Sequence, residues 1–194
     1  MAVPTRETVY TELSRRLEPA LASGKMKPLA DVKYPAWRSQ PDADGLVVFY
    51  SIQVDSKATD PFAGAQFRIE VEHSTQSLPA RGLNGRALFF QLLTTEETRN
   101  LLTRQNEVIS SLSTPPRSHV DLYPEGPVRQ AYLGYFKRQR SFDSVNSWLR
   151  YGTESDVRDW AELLGPLVTP LIERAANVLR PDERYLGRGS LLLT

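Results

Sequence analysis

The sequence predicts an α+β fold, namely an antiparallel β-meander of about four or five strands with helices packed on one face. Residues 33–74 largely alternate apolar and polar side chains, which is the period of a β-strand. The flanking segments repeat apolar residues every three or four positions, as amphipathic helices do. The chain of 194 residues is 40% hydrophobic and 24% charged, a globular composition. We therefore treat 1–194 as a single α+β domain with a polar C-terminal tail at 180–194.

The first helix is expected to begin after Thr5 and to end near Gly24. Thr5 is a suitable N-cap because its hydroxyl accepts a hydrogen bond from a backbone N–H of the first turn. One face of this helix carries the apolar residues Val9, Leu13, Leu17 and Leu21. Pro19 has no backbone N–H to donate, so we expect a kink or an early end there.

Three strands are expected between 33 and 74. The segment 33–39 reads as a short strand that Pro35 interrupts, and a turn follows it. The segment 46–54 is apolar on both faces, which indicates a central strand. The segment 66–74 alternates cleanly, so we expect a half-solvated antiparallel strand. Its solvated face would carry Arg68, Glu70 and Glu72.

The middle of the chain is expected to be mainly helical. Residues 86–93 form a short apolar element that periodicity alone does not identify as helix or strand. Thr94 and Glu97 have the spacing of a capping box, which predicts a helix that ends before Pro115. A proline-rich loop is expected over 113–127.

The last part of the chain is expected to contain a helix at 128–136, a strand at 145–151 and a long final helix. Thr153 and Asp156 are the expected cap of that helix. Its apolar stripe comprises Val157, Trp160, Leu164, Leu167, Val168, Leu171, Ile172, Ala175 and Leu179. Gly165-Pro166 and Pro170 are expected to kink or restart it.

This order of elements resembles small bacterial families known as domains of unknown function. The resemblance covers the first quarter of the chain and residues 148–174. It is carried by Trp148-Leu149-Arg150, Glu154-Ser155-Asp156-Val157 and Leu167-Val168-Thr169-Pro170. The chain departs from these families after the first helix, where Gly24-Lys25-Met26-Lys27 replaces a run of glycine, aromatic and basic residues. The resemblance implies a fold and no particular activity.

The composition excludes several classes of protein. There is no cysteine, which excludes disulfides, a thiol nucleophile and cysteine-ligated metals. A formal net charge of +1 gives no general attraction to nucleic acid or to an anionic membrane. We find neither a signal peptide nor a run of 18 apolar residues, so we expect a cytoplasmic protein without a membrane partner. The chain has 19 arginines against 5 lysines, which favours a GC-rich bacterial origin.

The first candidate chemistry is that of a metal-dependent phosphodiesterase. Asp42 or Asp55 would be one metal ligand and the segment Glu70-Val71-Glu72 would supply the next. Such sites place a lysine where this chain has Glu72, and alternation already explains the two glutamates as a solvated face. We therefore expect no metal at these residues.

His73 is the one catalytic candidate. As a general base it would need a carboxylate partner and a cleft. The competing interpretation is a half-buried histidine at the end of a strand, hydrogen-bonded to the backbone.

The candidate binding residues combine aromatic and basic side chains. Trp37, flanked by Pro35 and Arg38, is expected on the surface. The segment 129–142 supplies the others, namely Tyr132, Tyr135, Lys137, Arg138 and Arg140. Aromatic rings beside cations can stack on bases and neutralise phosphates. The alternative is a helix whose aromatic side chains enter the core and whose cations are solvated.

The function that these observations favour is a non-enzymatic binding or protein-interaction module without a cofactor, whose partner is a protein or a small ligand. An enzyme acting on nucleic acid or another phosphodiester is the first alternative. A small-ligand binder that uses the face of the sheet is the second.

Overall fold

The computed structural model describes residues 3–55, 60, 62–74, 86–139 and 148–178, with only the backbone given at 86–88, 135–139 and 178. The helices are α1 (Arg6–Ser23), α2 (Thr95–Ser111), α3 (Arg117–Val120), α4 (Pro127–Gln139), α5 (Glu154–Leu164) and α6 (Val168–Val178). The strands are β1 (Lys27–Pro28), β2 (Ala36–Arg38), β3 (Val47–Val54), β4 (Ala65–Ser74), β5 (Arg86–Leu88) and β6 (Leu149–Tyr151).

The six strands form one antiparallel sheet in the order β1-β2-β3-β4-β5, and β6 also pairs with β4. β5 and β6 lie along the same edge of β4, because β3 occupies its other edge. β5 lies opposite residues 70–72 of β4, and β6 lies opposite residues 65–67. The long pair β3–β4 runs from Val47 opposite Ser74 to Val54 opposite Phe67.

One face of the sheet is covered by helices, which confirms the predicted α+β architecture. Alternate side chains of β3 and β4 pack against α1 and α6, and α5 packs on α1. The fully buried residues of this core include Leu13, Leu17, Tyr50, Ile52, Phe67, Ile69, Trp160, Leu164 and Leu171. The described residues of the apolar stripes predicted for the first and last helices therefore belong to the main core or pack against it, and Leu179 lies outside the described residues.

The local signals in the sequence are largely confirmed. Thr94 and Glu97 form a capping box at the start of α2, and Thr153 and Asp156 form another at the start of α5. The last helix is divided at Gly165-Pro166 by a short 3-10 turn over Gly165–Leu167, as expected. Of the two outcomes expected at Pro19, the early end is wrong, since α1 continues to Ser23. The buried Leu17 and Leu21 hold its last turn against the core.

The ambiguous segments are also resolved. Residues 86–93 are strand at β5 and then a 3-10 turn over Phe89–Leu92. The loop expected over 113–127 contains the four-residue helix α3. The helix expected at 128–136 is present as α4, and β6 is the described part of the strand expected at 145–151. The tail at 180–194 lies outside the described residues. No helix in the described part of the chain is long and apolar enough to cross a membrane.

The prediction that β4 is half-solvated is wrong. Both of its faces are buried, and Glu70 and Glu72 are only 3% and 4% exposed. Alternation of apolar and polar residues shows which side chains share a face of a strand. It does not show whether that face is exposed to solvent. Polar side chains can be buried when they are hydrogen-bonded.

Candidate functional site

The side of the sheet away from the helices carries polar side chains around its centre. We call this set of side chains the polar face. Its side chains alternate along the strands with those of the helix-covered core. It comprises Ser51, Gln53, Gln66, Arg68, Glu70, Glu72, Trp148 and Arg150. The strand register places Ser51 opposite Glu70 and Gln53 opposite Arg68. These side chains are therefore neighbours across adjacent strands.

The centre of the polar face is a hydrogen-bonded network that includes the side chains of Arg68, Gln53 and Glu70. Arg68 Nη2 lies 2.6 Å from Glu70 Oε1 and donates to Gln53 Oε1 at 3.1 Å. Gln53 Nε2 donates in turn to Glu70 Oε2. The Arg68 guanidinium also lies over the indole of Trp148, with its Cζ 4.7 Å from the ring centroid. An ion pair, an amide and an aromatic face thus meet at one point.

Exposure differs sharply across this network. The Glu70 side chain is 4% exposed, while the Arg68 side chain is 25% exposed and lies nearer to the solvent. Desolvation lowers the pKa of Arg68, and the nearby Asp55 carboxylate opposes this shift. The Nε of Arg68 is buried, and it has no hydrogen-bond partner in the described part of the chain.

The end of the polar face nearest the β3–β4 turn has a second set of polar contacts. Gln66 Nε2 donates to Asp55 Oδ2 at 2.8 Å. Arg150, opposite Gln66 in the register, is buried, and its Nη1 donates to the Ala63 carbonyl at 3.4 Å. These contacts link β6 to the turn between β3 and β4.

β6 is short, and the helices hold it in place. The indole Nε1 of Trp160 on α5 donates to the Arg150 carbonyl at 2.7 Å. This bond lies on the edge of β6 that faces away from β4. The positions of Trp148 and Arg150 on the polar face therefore depend on the packing of the helical layer.

His73 has a carboxylate near it but no access for a substrate. It lies opposite Val48, which points into the helix-covered core, and it is buried. Its Nε2 lies 3.6 Å from Asp42 Oδ2, which is too far for a good hydrogen bond. Backbone N–H groups of Leu46 and Asp44 donate to Asp42, and with His73 they lower the pKa of this carboxyl group. The arrangement favours a structural histidine.

The expectation that Trp37 lies on the surface is wrong. Its side chain is 6% exposed and belongs to the helix-covered core. β2 pairs with β3 so that Trp37 lies opposite Tyr50, and the two rings meet edge to face at 6.3 Å. Pro35 and Arg38 flank Trp37 in sequence, but its own side chain occupies the inward position of the strand.

The other predicted binding residues lie on or beyond α4. Tyr132 is buried and stacks on Tyr123 with ring centroids 4.2 Å apart, and His119 lies 5.7 Å from it. For Tyr132, this packing supports the interpretation in which the aromatic side chain is internal. Only the backbone is described for Tyr135, Lys137 and Arg138, and Arg140 lies outside the described residues.

Exposed apolar side chains are concentrated near α4. Leu122 is 76% exposed, Val128 is 53% exposed and Leu133 is 43% exposed. They are the large apolar side chains most exposed in the described part of the chain, and they fall within twelve consecutive residues. Large exposed apolar side chains are typical of contact surfaces when they form one patch.

Sequence reasoning found Arg68, Glu70 and Glu72 but placed them in water, and it missed Gln53 and Arg150 as members of a site. A usable signal was present in β3, where Ser51 and Gln53 interrupt an otherwise apolar strand. The sequence identifies Trp148 only as a strand residue, because its contact with Arg68 joins positions 80 residues apart.

Comparison with known proteins gives no relative. No family model, no curated protein and no solved structure matches this chain. Among the described residues, no group of three or more histidine, aspartate or glutamate side chains is placed to hold a metal ion.

Proposed function

We propose that the protein is a non-enzymatic binding module that takes a small polar ligand on the polar face of its sheet. The observation that supports this is the network of Arg68, Glu70 and Gln53, in which the Arg68 guanidinium lies over the Trp148 ring. Binding sites for small molecules combine a few oriented polar groups with aromatic surface in this way.

The network places a charged pair where the fold could use an apolar one. Removing a carboxylate and a guanidinium from water is costly, and an apolar pair of the same size is often at least as stabilising. The helix-covered face of the same sheet uses apolar pairs throughout its centre, for example Ile52 opposite Ile69. A charged pair at the centre of the other face is therefore better explained by recognition than by stability.

A binding role fits the described residues better than catalysis does. His73 is buried on the opposite side of the sheet from Arg68 and Glu70. An enzyme acting on a phosphodiester remains the alternative, and no arrangement in the described residues favours it. We keep the cytoplasm as the proposed compartment, because the chain contains no cysteine.

A protein-interaction role is the second candidate. It is favoured by the exposed apolar side chains of Leu122, Val128 and Leu133. A variant carrying serine at all three positions should keep its fold and lose any protein partner, whereas ligand binding on the polar face should be unchanged.

The proposed function is tested by thermal unfolding of the full chain with a panel of small polar compounds. The panel would contain amino acids, polyamines, dicarboxylates, sugar phosphates and nucleosides. A ligand present at about 100 times its Kd stabilises the folded state by about 2.7 kcal/mol. The shift should be lost in Trp148→Leu and kept in Arg15→Ala on the outer surface of α1. A panel that gives no shift dependent on Trp148 would contradict a ligand site on this face.

A further inference from the structure

We infer that the cleft between α1 and α5 is a second binding site, which takes a short peptide with both of its termini free. The ammonium group of the peptide lies between Glu7 and Glu154, and its carboxylate lies beside Arg158. The cleft belongs to the helical layer, on the other side of the sheet from the polar face. The inference therefore goes beyond the proposed function and does not depend on it.

The cleft lies between two helices that run in the same direction. Glu7 and Glu154, from the first turns of α1 and α5, both line it. Further along the two helices, Arg16 Nη1 lies 3.7 Å from Glu162 Oε1. Val157 also lines the cleft and is buried against the core. The cleft has a volume of about 560 Å³, within the range of about 300–1,000 Å³ that is usual for small-molecule sites.

The charges that line the cleft form a dipole along its length. Glu154 and Arg158 lie one turn apart on the same face of α5, and the glutamate is nearer to the start of the helix. Glu7 adds a second carboxylate at that end, and its pair with Arg6 at 3.2 Å is exposed and therefore weak. A ligand with one positive and one negative end fits this cleft in a single orientation.

Glu154 and Arg158 are not neutralised by other side chains. Both are exposed, and neither forms an ion pair or a side-chain hydrogen bond within the described part of the chain. Glu12 also lines the cleft, but Arg16 at 2.5 Å and Arg15 at 3.0 Å already hold it. Hydrogen bonds from these two arginines lower the pKa of Glu12, so it stays ionised and paired along its own helix. Arg158 is therefore left for the carboxylate of a ligand.

The spacing of the charges sets the length of the ligand. Four residues of an α-helix rise by about 6 Å, which is the axial separation of Glu154 and Arg158. The ends of an extended peptide of about two or three residues are about 6–10 Å apart. A free α-amino acid carries both charges on one carbon and is too short. Thr11 lines the cleft with a hydroxyl that has no partner among the described residues, so it can bond to a peptide group between the termini.

The experiment titrates the full chain with trialanine and follows the backbone amide chemical shifts by NMR. We expect a Kd of about 1 mM or below, with the largest shifts at Thr11, Val157 and Arg158. N-acetyl-trialanine lacks the ammonium and trialanine amide lacks the carboxylate, so each should bind about fivefold more weakly. The compound ε-aminocaproate has both charges but no peptide group, and it should bind more weakly than dialanine.

Matched variants assign each end of the peptide to its residues. Arg158→Gln should bind trialanine about fivefold more weakly and should no longer distinguish it from trialanine amide. The double variant Glu7→Gln/Glu154→Gln should no longer distinguish trialanine from its acetylated form. These three side chains are exposed, so the substitutions should leave the fold intact. Arg117→Gln is the control and should bind as the wild type does, because Arg117 is 94% exposed and lies on α3.

Three results would overturn the inference. The first is the absence of shifts around the cleft at about 10 mM trialanine. The second is equal binding of trialanine and its two blocked forms, and the third is an Arg158→Gln variant that still prefers trialanine to its amide. Binding of ε-aminocaproate as tight as that of dialanine would exclude a peptide as the ligand. The polar face is tested separately, because the ligand proposed for it depends on Trp148.

Discussion

The side chain of Gln105 on α2 makes the hydrogen bond that a further strand would make to Arg150. Its Oε1 accepts from the Arg150 backbone N–H at 2.9 Å, and its Nε2 donates to the Trp148 carbonyl at 3.3 Å. β6 pairs with β4 on its other edge, so Gln105 and Trp160 together close the edge that would otherwise be open. A helix of the core thus positions two residues of the polar face through their backbone.

Replacement of Gln105 should destabilise the protein through this strand edge. Gln105→Leu removes the side chain that pairs with the buried Arg150 N–H and with the partly buried Trp148 carbonyl, and each such loss costs about 1–3 kcal/mol. We expect a decrease of about 2–4 kcal/mol in the free energy of unfolding, measured by urea denaturation. The neighbouring exposed Asn106→Leu is the control and should change stability by less than about 0.5 kcal/mol. Equal effects of the two substitutions would contradict the role given to Gln105.

Gly64 should tolerate no side chain, because of its conformation and of its close neighbour. It has a φ of +70°, and a Cβ there would lie 2.4 Å from the Tyr151 carbonyl oxygen. Gly45 has a similar φ of +78° with nothing within 4 Å of a Cβ, so it isolates the conformational cost. We expect Gly45→Ala to cost about 1 kcal/mol and Gly64→Ala to cost at least about 3 kcal/mol in urea denaturation. Similar losses at the two positions would mean that the turn moves away from β6 freely.

The final helical segment should contribute much of the stability. Leu164 and Leu171 are completely buried in α5 and α6. Leu164→Ala or Leu171→Ala should cost about 2–5 kcal/mol, because each leaves a cavity in the core. Leu122→Ala is the control, since Leu122 is exposed and should cost less than about 0.5 kcal/mol. Chemical denaturation measures all three, and a loss at Leu164 as small as that at Leu122 would contradict the described packing.

The ion pair between Glu97 and Arg174 should make stability depend on acid pH. Hydrogen bonds from Arg174 lower the pKa of Glu97 in the folded state. A lowered pKa means that the stabilisation is complete above the ordinary pKa of about 4.3 and is lost as the pH falls below it.

The measurement compares the urea midpoint of the wild type with that of Glu97→Gln from neutral pH to about pH 3. The difference between them should be largest at neutral pH and should narrow in acid. The exposed Glu96→Gln in the same turn should show no such narrowing. A difference that stays constant for Glu97→Gln would refute the pH dependence.

Nucleic acid binding should be weak. We expect no Kd tighter than about 10 μM for short single-stranded DNA or RNA at about 150 mM salt, because the net charge is close to zero. The test compares the wild type with a triple variant in which Lys137, Arg138 and Arg140 are alanine. Tight binding that is lost in this variant, and that falls with salt at a logarithmic slope of about −2 to −4, would restore the nucleic-acid alternative.

The sequence by itself determined the elements whose signals are local. Thr94 with Glu97 and Thr153 with Asp156 mark helix starts because a cap and its partner lie three residues apart. Leu13 and Leu17 share one helix face because 3.6 residues make a turn. The same kind of pattern predicted β3 and β4, since alternate side chains of a strand point to opposite faces.

The tertiary structure alone decided which faces are covered and which distant residues meet. Alternation placed Glu70 and Glu72 on one face of β4, but their burial depends on contacts that no local pattern contains. Trp37 turned inward because β2 pairs with β3, and Trp148 met Arg68 because β6 pairs with β4 far along the chain. Secondary structure is fixed by neighbours in sequence, whereas a site on a sheet is fixed by the pairing of strands that are distant in sequence.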